Sequence, residues 1–226
     1  MSSLLTSLLS LASAGVMMLT PPLENAAPQH DIDGPLFLIN RDWRVSRSFI
    51  PPLDMADVPG DVRRMQPEAA RALEEMFRAC KEETGVTLKS VSGYRSYATQ
   101  SNIYNRKLKS TGSRAKADEY VARPGSSEHQ LGLAMDVGQK SKTNLTASFG
   151  STKGGKWVRE NCWRFGFIIR YGQGWEDVTG YKYEPWHVRY VGQETAASLH
   201  EANVPLETWM LLLREDALLD IIIGEE

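Results

Sequence analysis

The sequence predicts an α+β fold: a small, mainly antiparallel sheet with flanking helices, folded as one domain. Three observations lead there. Some segments repeat apolar residues at three- and four-residue steps while others are short apolar or Val/Thr-rich runs, so both helices and strands are expected. The two kinds do not alternate regularly, which argues against a parallel, doubly wound sheet. The chain has 226 residues, 42% hydrophobic and 24% charged, which suits one domain able to bury its own core.

Taken in order, Leu36 to Asn40 is the first ordered-looking apolar run and is expected as a short strand, so the folded part begins near residue 33. Pro51-Pro52 and Pro59-Gly60 keep the next stretch extended or turned. Pro67 suits the first position of a helix that Gly85 ends, with Ala70, Leu73, Phe77 and Cys80 forming an apolar stripe. Val86 to Ser92 reads as a strand, Tyr97 to Leu108 as a helix, and Ala115 to Val121 as a shorter helix closed by Arg123-Pro124-Gly125. Leu133 to Val137 is a short strand and Ser141 to Gly155 a polar surface loop. Lys156 to Arg164 is a helix with Val158, Cys162 and Phe165 on one core-facing side. Gly166 to Tyr171 and Trp186 to Val191 read as strands, and Pro205 opens a last amphipathic helix through Leu219, docking by Leu206, Trp209, Met210 and Leu213.

Ahead of these elements, residues 1–32 read as a leader and linker. Residues 1–23 carry no charge, and Leu4 to Leu19 resembles the apolar region of an export signal without its basic start. Export or membrane tethering is the expectation, hence an extracytoplasmic location. A balance of 26 Lys+Arg against 28 Asp+Glu gives a net charge of -2 and no basic face to suggest nucleic acid. Cys80 and Cys162 are the only cysteines, too far apart for a redox CxxC or a zinc ribbon. A disulfide between them is open in an oxidising compartment, against the reading of both as small buried hydrophobes.

Four histidines occur, at 30, 129, 187 and 200. His129 stands seven residues before Asp136, which sits in an apolar run between Met135 and Val137. A carboxylate there is costly unless paired or bound to a cation. His187 follows Glu184 by three positions. Two imidazoles and a carboxylate are the donor set of catalytic zinc sites, and a neighbouring carboxylate serves as general base. A core histidine satisfied by a carboxylate would look the same, and Pro185 argues against a regular helix carrying Glu184 and His187 on one face, though the two could converge from a turn just before the strand at Trp186.

Ser127-x-His129-x-x-Gly132-x-Ala134-x-Asp136 with Glu184-x-x-His187, preceded by Ser92-Gly93-Tyr94-Arg95-Ser96-Tyr97-x-x-Gln100, resembles the signatures of the VanY-type zinc D-alanyl-D-alanine carboxypeptidases and their L,D-carboxypeptidase relatives. The resemblance runs from about residue 36 to the last helix and implies a zinc peptidase domain over 33–226. It implies zinc on His129, Asp136 and His187, Glu184 as base, and Arg95 facing the scissile carbonyl or the substrate carboxylate. Gln100, Ser127 and Tyr171 would contact the substrate. The implied substrate is the peptidoglycan stem peptide, trimmed of its C-terminal D-alanine by D,D- or L,D-cleavage. A cytoplasmic D-Ala-D-Ala dipeptidase and a non-catalytic peptidoglycan-binding module are the competing readings.

Overall fold

A computed structural model describes residues 34–139 and 144–213. The expected leader and the far end of the expected last helix lie outside the described residues. Within them the order is β1 (Asp54–Met55), β2 (Arg64–Met65), α1 (Pro67–Thr84), β3 (Leu88–Ser92), α2 (Tyr97–Thr111), α3 (Arg114–Asp118), β4 (Ala134–Gln139), α4 (Lys153–Asn161), β5 (Phe167–Ile169), α5 (Glu176–Thr179), β6 (His187–Tyr190) and α6 (Gln193–Ala202). Strands β1 and β2 pair as a small antiparallel ribbon, and β3-β4-β6-β5 form an antiparallel four-stranded sheet.

Local chemistry sets the helix ends. Pro67 opens α1, where a missing N–H costs nothing, and Gly85 closes it in the left-handed region at φ 74°. The Ser96 hydroxyl accepts from Thr99 N–H at the start of α2, and Thr152 does the same for Gly155 N–H at the start of α4.

Alternation along the strands divides the sheet into two faces. Met135 and Val137 of β4, Val188 and Tyr190 of β6 and Phe167 of β5 join Leu73, Met76, Phe77 and Cys80 of α1 in the main core. The residues between them, Asp136, His187 and Arg189, are buried on the other face and are polar. A second core gathers Leu199 and Ala196 of α6 with Leu206, Trp209 and Met210, and with Leu36 and Leu38 from the start of the described chain.

Several expectations are corrected. Residues 36–40 form no strand: Phe37 and Ile39 are buried, but the carbonyls of Pro35 and Phe37 accept from the Arg189 guanidinium instead of a ladder partner. The stretch read as a surface loop over 141–155 contains a 3-10 turn at Ala147–Ser151 with Phe149 buried, and α4 begins at Lys153. The helix expected to reach Arg164 ends at Asn161 and tightens into 3-10 geometry at Cys162–Phe165. Helices α5 and α6 and the β1–β2 ribbon were not anticipated. In the last helix Leu206 is buried, but Leu213 is 38% exposed. Cys80 and Cys162 are both buried and free, so no disulfide joins them.

Candidate metal centre

The antiparallel register of β4 and β6 sets Asp136 directly opposite His187. Such pairs bring their side chains together on one face, and His187 Nδ1 stands 3.0 Å from Asp136 Oδ1. His129 arrives from a 3-10 turn, Glu128–Leu131, which precedes β4. Gly132 ends that turn at φ 71° and lets the chain reverse into the strand; a Cβ there would meet Leu53 at 2.9 Å.

A reciprocal clasp holds the turn. His129 Nδ1 donates to the Gly93 carbonyl at 2.8 Å, and Arg95 N–H donates to the His129 carbonyl at 3.1 Å. Gly93 is itself required by close packing, since a Cβ would lie 2.6 Å from the Arg64 carbonyl of β2. A carbonyl can only accept, so Nδ1 of His129 carries the proton and Nε2 presents a bare lone pair. That Nε2 is buried without a hydrogen-bond partner and lies 3.3 Å from Asp136 Oδ2. A lone pair facing a carboxylate oxygen is repulsive unless a cation lies between them. One donor atom each from His129, Asp136 and His187 falls within 4.8 Å of the others, and all three residues are buried.

The charges follow from the surroundings. Burial, reinforced by Arg95, pushes His129 down to about 4, so its ring is neutral. Burial works against charge on His187 too, but the carboxylates of Asp136 and Glu128 outweigh it and raise the ring to about 9. Burial would raise Asp136, yet the protonated His187 ring bonded to it holds its carboxyl well below the usual carboxylate range. Glu184 is pushed up to about 7 by burial. Its approach is made by a turn in which His187 N–H donates to the Glu184 carbonyl at 3.1 Å, and Pro185 sits inside that turn instead of breaking a helix.

All eight residues singled out by sequence line one cavity of about 1010 Å³: Arg95, Gln100, Ser127, His129, Asp136, Tyr171, Glu184 and His187. Arg95 donates through Nη1 to Gln100 Oε1 at 3.0 Å and reaches Asp136 Oδ2 at 3.4 Å. The Gln100 amide is committed at both ends, since its nitrogen donates to the Ala122 carbonyl at 2.7 Å. It therefore sets the guanidinium of Arg95. The Ser127 hydroxyl is not used to cap the turn that follows it. Tyr171 packs its ring 5.0 Å from that of His187 and forms a wall behind it.

Sequence reasoning gave no role to Glu128, which faces the far side of His187, to Arg170 and Arg189, which bond Glu128, or to Glu207, which bonds Arg170. Burial alone would raise the Glu128 carboxyl, but Arg170 and Arg189 hold it well below its usual range. The one available signal was a second polar residue, Arg189, two positions after His187 and so on the same strand face.

The chain is similar to known carboxypeptidases. A family model described as VanY, D-alanyl-D-alanine carboxypeptidase, matches residues 62–193. YodJ of Bacillus subtilis strain 168, named as a carboxypeptidase, is 49% identical over 148 residues, 65% of this chain and 54% of YodJ. The chain thus spans about half the length of that relative. The LD-carboxypeptidase LdcB superimposes with a TM-score of 0.75 at 42% identity, over 80% of this chain and 87% of its own. A D,D-pentapeptidase VanY from the VanB-type resistance cassette, solved with Zn(II), gives a TM-score of 0.67 at 32% identity, over 77% of this chain and 98% of its own.

Proposed function

Because the chain belongs to the VanY D-alanyl-D-alanine carboxypeptidase family, we propose that it is a zinc carboxypeptidase that removes the C-terminal D-alanine from peptidoglycan stem peptides. The observation that carries the reading is the bare Nε2 of His129, buried and unpartnered against Asp136. The donor set fits zinc: bonds of about 2.0–2.2 Å in a tetrahedron separate ligand atoms by roughly 3.4 Å. The 3.3 Å from His129 Nε2 to Asp136 and the 3.0 Å from His187 Nδ1 to Asp136 come close to that spacing. The zinc of the VanB-type relative supports the same assignment.

When bound, zinc acidifies water and polarises the scissile carbonyl. The remaining work falls to side chains. Glu184 takes the proton of the attacking water on its carboxylate and returns it to the departing amino group. A carboxyl tuned upward by burial suits both halves of that exchange near neutral pH. Arg95, braced by Gln100, offers fixed N–H donors to the carbonyl oxygen or to the free carboxylate of the last residue. Ser127 supplies a hydroxyl to the same residue, and Tyr171 holds His187 in place.

D,D-cleavage of a pentapeptide and L,D-cleavage of a tetrapeptide differ in the configuration of the residue that carries the scissile carbonyl. The greater likeness to LdcB than to the VanB-type relative favours the tetrapeptide. Incubating zinc-loaded protein with defined tetra- and pentapeptide stems, and weighing the products by mass spectrometry, tests both. Loss of one D-alanine from either is expected; a zinc-loaded protein that cleaves neither would end the proposal. Such a substrate lies outside the membrane, in keeping with the location expected from residues 1–23. Among the described residues no helix is long and apolar enough to cross a membrane.

A further inference from the structure

The charged cluster behind His187 is buried completely. Glu128, Arg170 and Arg189 have side chains that are 0% exposed. Glu128 divides its carboxylate between two tasks. Its Oε1 accepts from Arg170 Nε at 2.7 Å and from Arg189 Nη1 at 2.8 Å, while Oε2 faces His187 Nε2 at 3.3 Å. A carboxylate can only accept, and each ring nitrogen faces one, so the metal-free ring carries two protons; a metal at Nδ1 would displace the proton facing Asp136 and leave the one on Nε2 held by Glu128.

The two arginines reach outward to chain flanks beyond the family match of 62–193. Arg170 is gripped at both terminal nitrogens by Glu207, from the start of the last helix. Arg189 Nη2 donates to the carbonyls of Phe37 at 2.8 Å and Pro35 at 2.9 Å. Two acids and two guanidiniums cancel in charge, which makes full burial of Glu128, Arg170 and Arg189, with Glu207 at the partly exposed end, tolerable only while all are present.

We propose that Glu128 is a positioning residue that orients His187 for metal binding, and that Glu207 and the 35–37 backbone tune this orientation through Arg170 and Arg189. A carboxylate behind a ligating imidazole fixes its ring and strengthens it as a donor, and losing one weakens metal binding roughly 10- to 100-fold. The proposal rests on the reading of His129, Asp136 and His187 as a metal set. It adds that the flanks outside the family match contribute to metal affinity without touching the metal.

The test uses the full chain and zinc dissociation constants measured by competition with a chromophoric chelator. Glu128→Gln is expected to weaken zinc binding roughly 10- to 100-fold, and Glu207→Gln by a smaller factor of several fold. Cys80→Ala, a truncation in the main core that touches none of these groups, is expected to lower thermal stability and leave zinc affinity unchanged. In zinc-loaded wild type, nitrogen-15 spectra of the histidines should show a proton on His187 Nε2 that exchanges slowly with solvent. Folded Glu128→Gln and Glu207→Gln proteins that bind zinc as wild type does would overturn the proposal. If Glu128→Gln does not fold, the spectra and Glu207→Gln decide: an unprotonated Nε2 in wild type, or an unchanged affinity in Glu207→Gln, overturns it. Wild type that binds no zinc would instead bring down the metal reading and this inference with it.

Discussion

Glu184 concentrates two demands in one carboxyl group, because the burial that suits it to proton transfer also makes its charge costly. Its folded value of about 7 lies above the unfolded value of about 4.3, so the fold favours the protonated form. In the metal-free protein, the contribution of Glu184 to stability is therefore lost as pH rises from about 4 to about 7 and is constant above that. Glu184→Gln removes the cost. Metal-free Glu184→Gln should be more stable than wild type at pH 8 by up to about 4 kcal/mol, with the gap narrowing toward pH 5, as measured by chemical denaturation in chelator. The same variant should lose turnover and keep a full complement of zinc by elemental analysis, since the base is not a ligand. Arg95 makes a different demand, for a rigid pair of donors. Arg95→Lys should lower kcat/KM by roughly 100-fold while zinc affinity holds within a few fold, because a lysine offers charge without the fork that Gln100 braces.

At the level of elements, the turn that delivers His129 to the head of β4 is the weak point. Gly132 occupies a left-handed conformation with Leu53 2.9 Å from where a Cβ would sit. Gly132→Ala should destabilise the protein by roughly 1–3 kcal/mol in denaturant titrations and weaken zinc binding, because it shifts His129 against Asp136. The long, strongly patterned elements were legible: α1 carries its stripe, its Pro67 start and its Gly85 stop in plain sequence. Strands of two residues such as β1 and β2 are too short to display a period, and α6 buries only Ala196 and Leu199, too thin a stripe to read. Apolar alternation at Phe37 and Ile39 did mark burial, but burial without a pairing partner is not a strand. Few histidines and an Asp136 out of place in its run drew attention to the candidate metal set, but the pattern also fitted a core histidine bonded to a carboxylate, and it was the resemblance of the three motifs that pointed to zinc. Glu128 stood inside the same motif and still gave no sign of its role, since Arg170 and Arg189 lie 42 and 61 positions away and charge pairing at that range leaves no local pattern.

For the molecule as a whole, a metal that binds only the folded state adds its binding energy to stability. At free zinc a thousand-fold above the dissociation constant that amounts to about 4 kcal/mol. Stripping zinc with chelator should thus lower Tm by on the order of 10 °C in a domain of this size, read by calorimetry; an unchanged Tm would mean that the donors are not assembled in solution. The facing of Asp136 and His187, 51 residues apart across two strands, carries a last implication. Slipping β4 by one residue against β6 would turn Asp136 into the apolar core and bring Met135 or Val137 out to meet the histidine. An ion offered during folding would then be captured by correctly paired chains and ignored by slipped ones, acting as a proofreader of strand alignment. By the same logic a single-residue insertion within either strand is expected to extinguish the site at one stroke, whereas one in a connection that leaves the register intact is not.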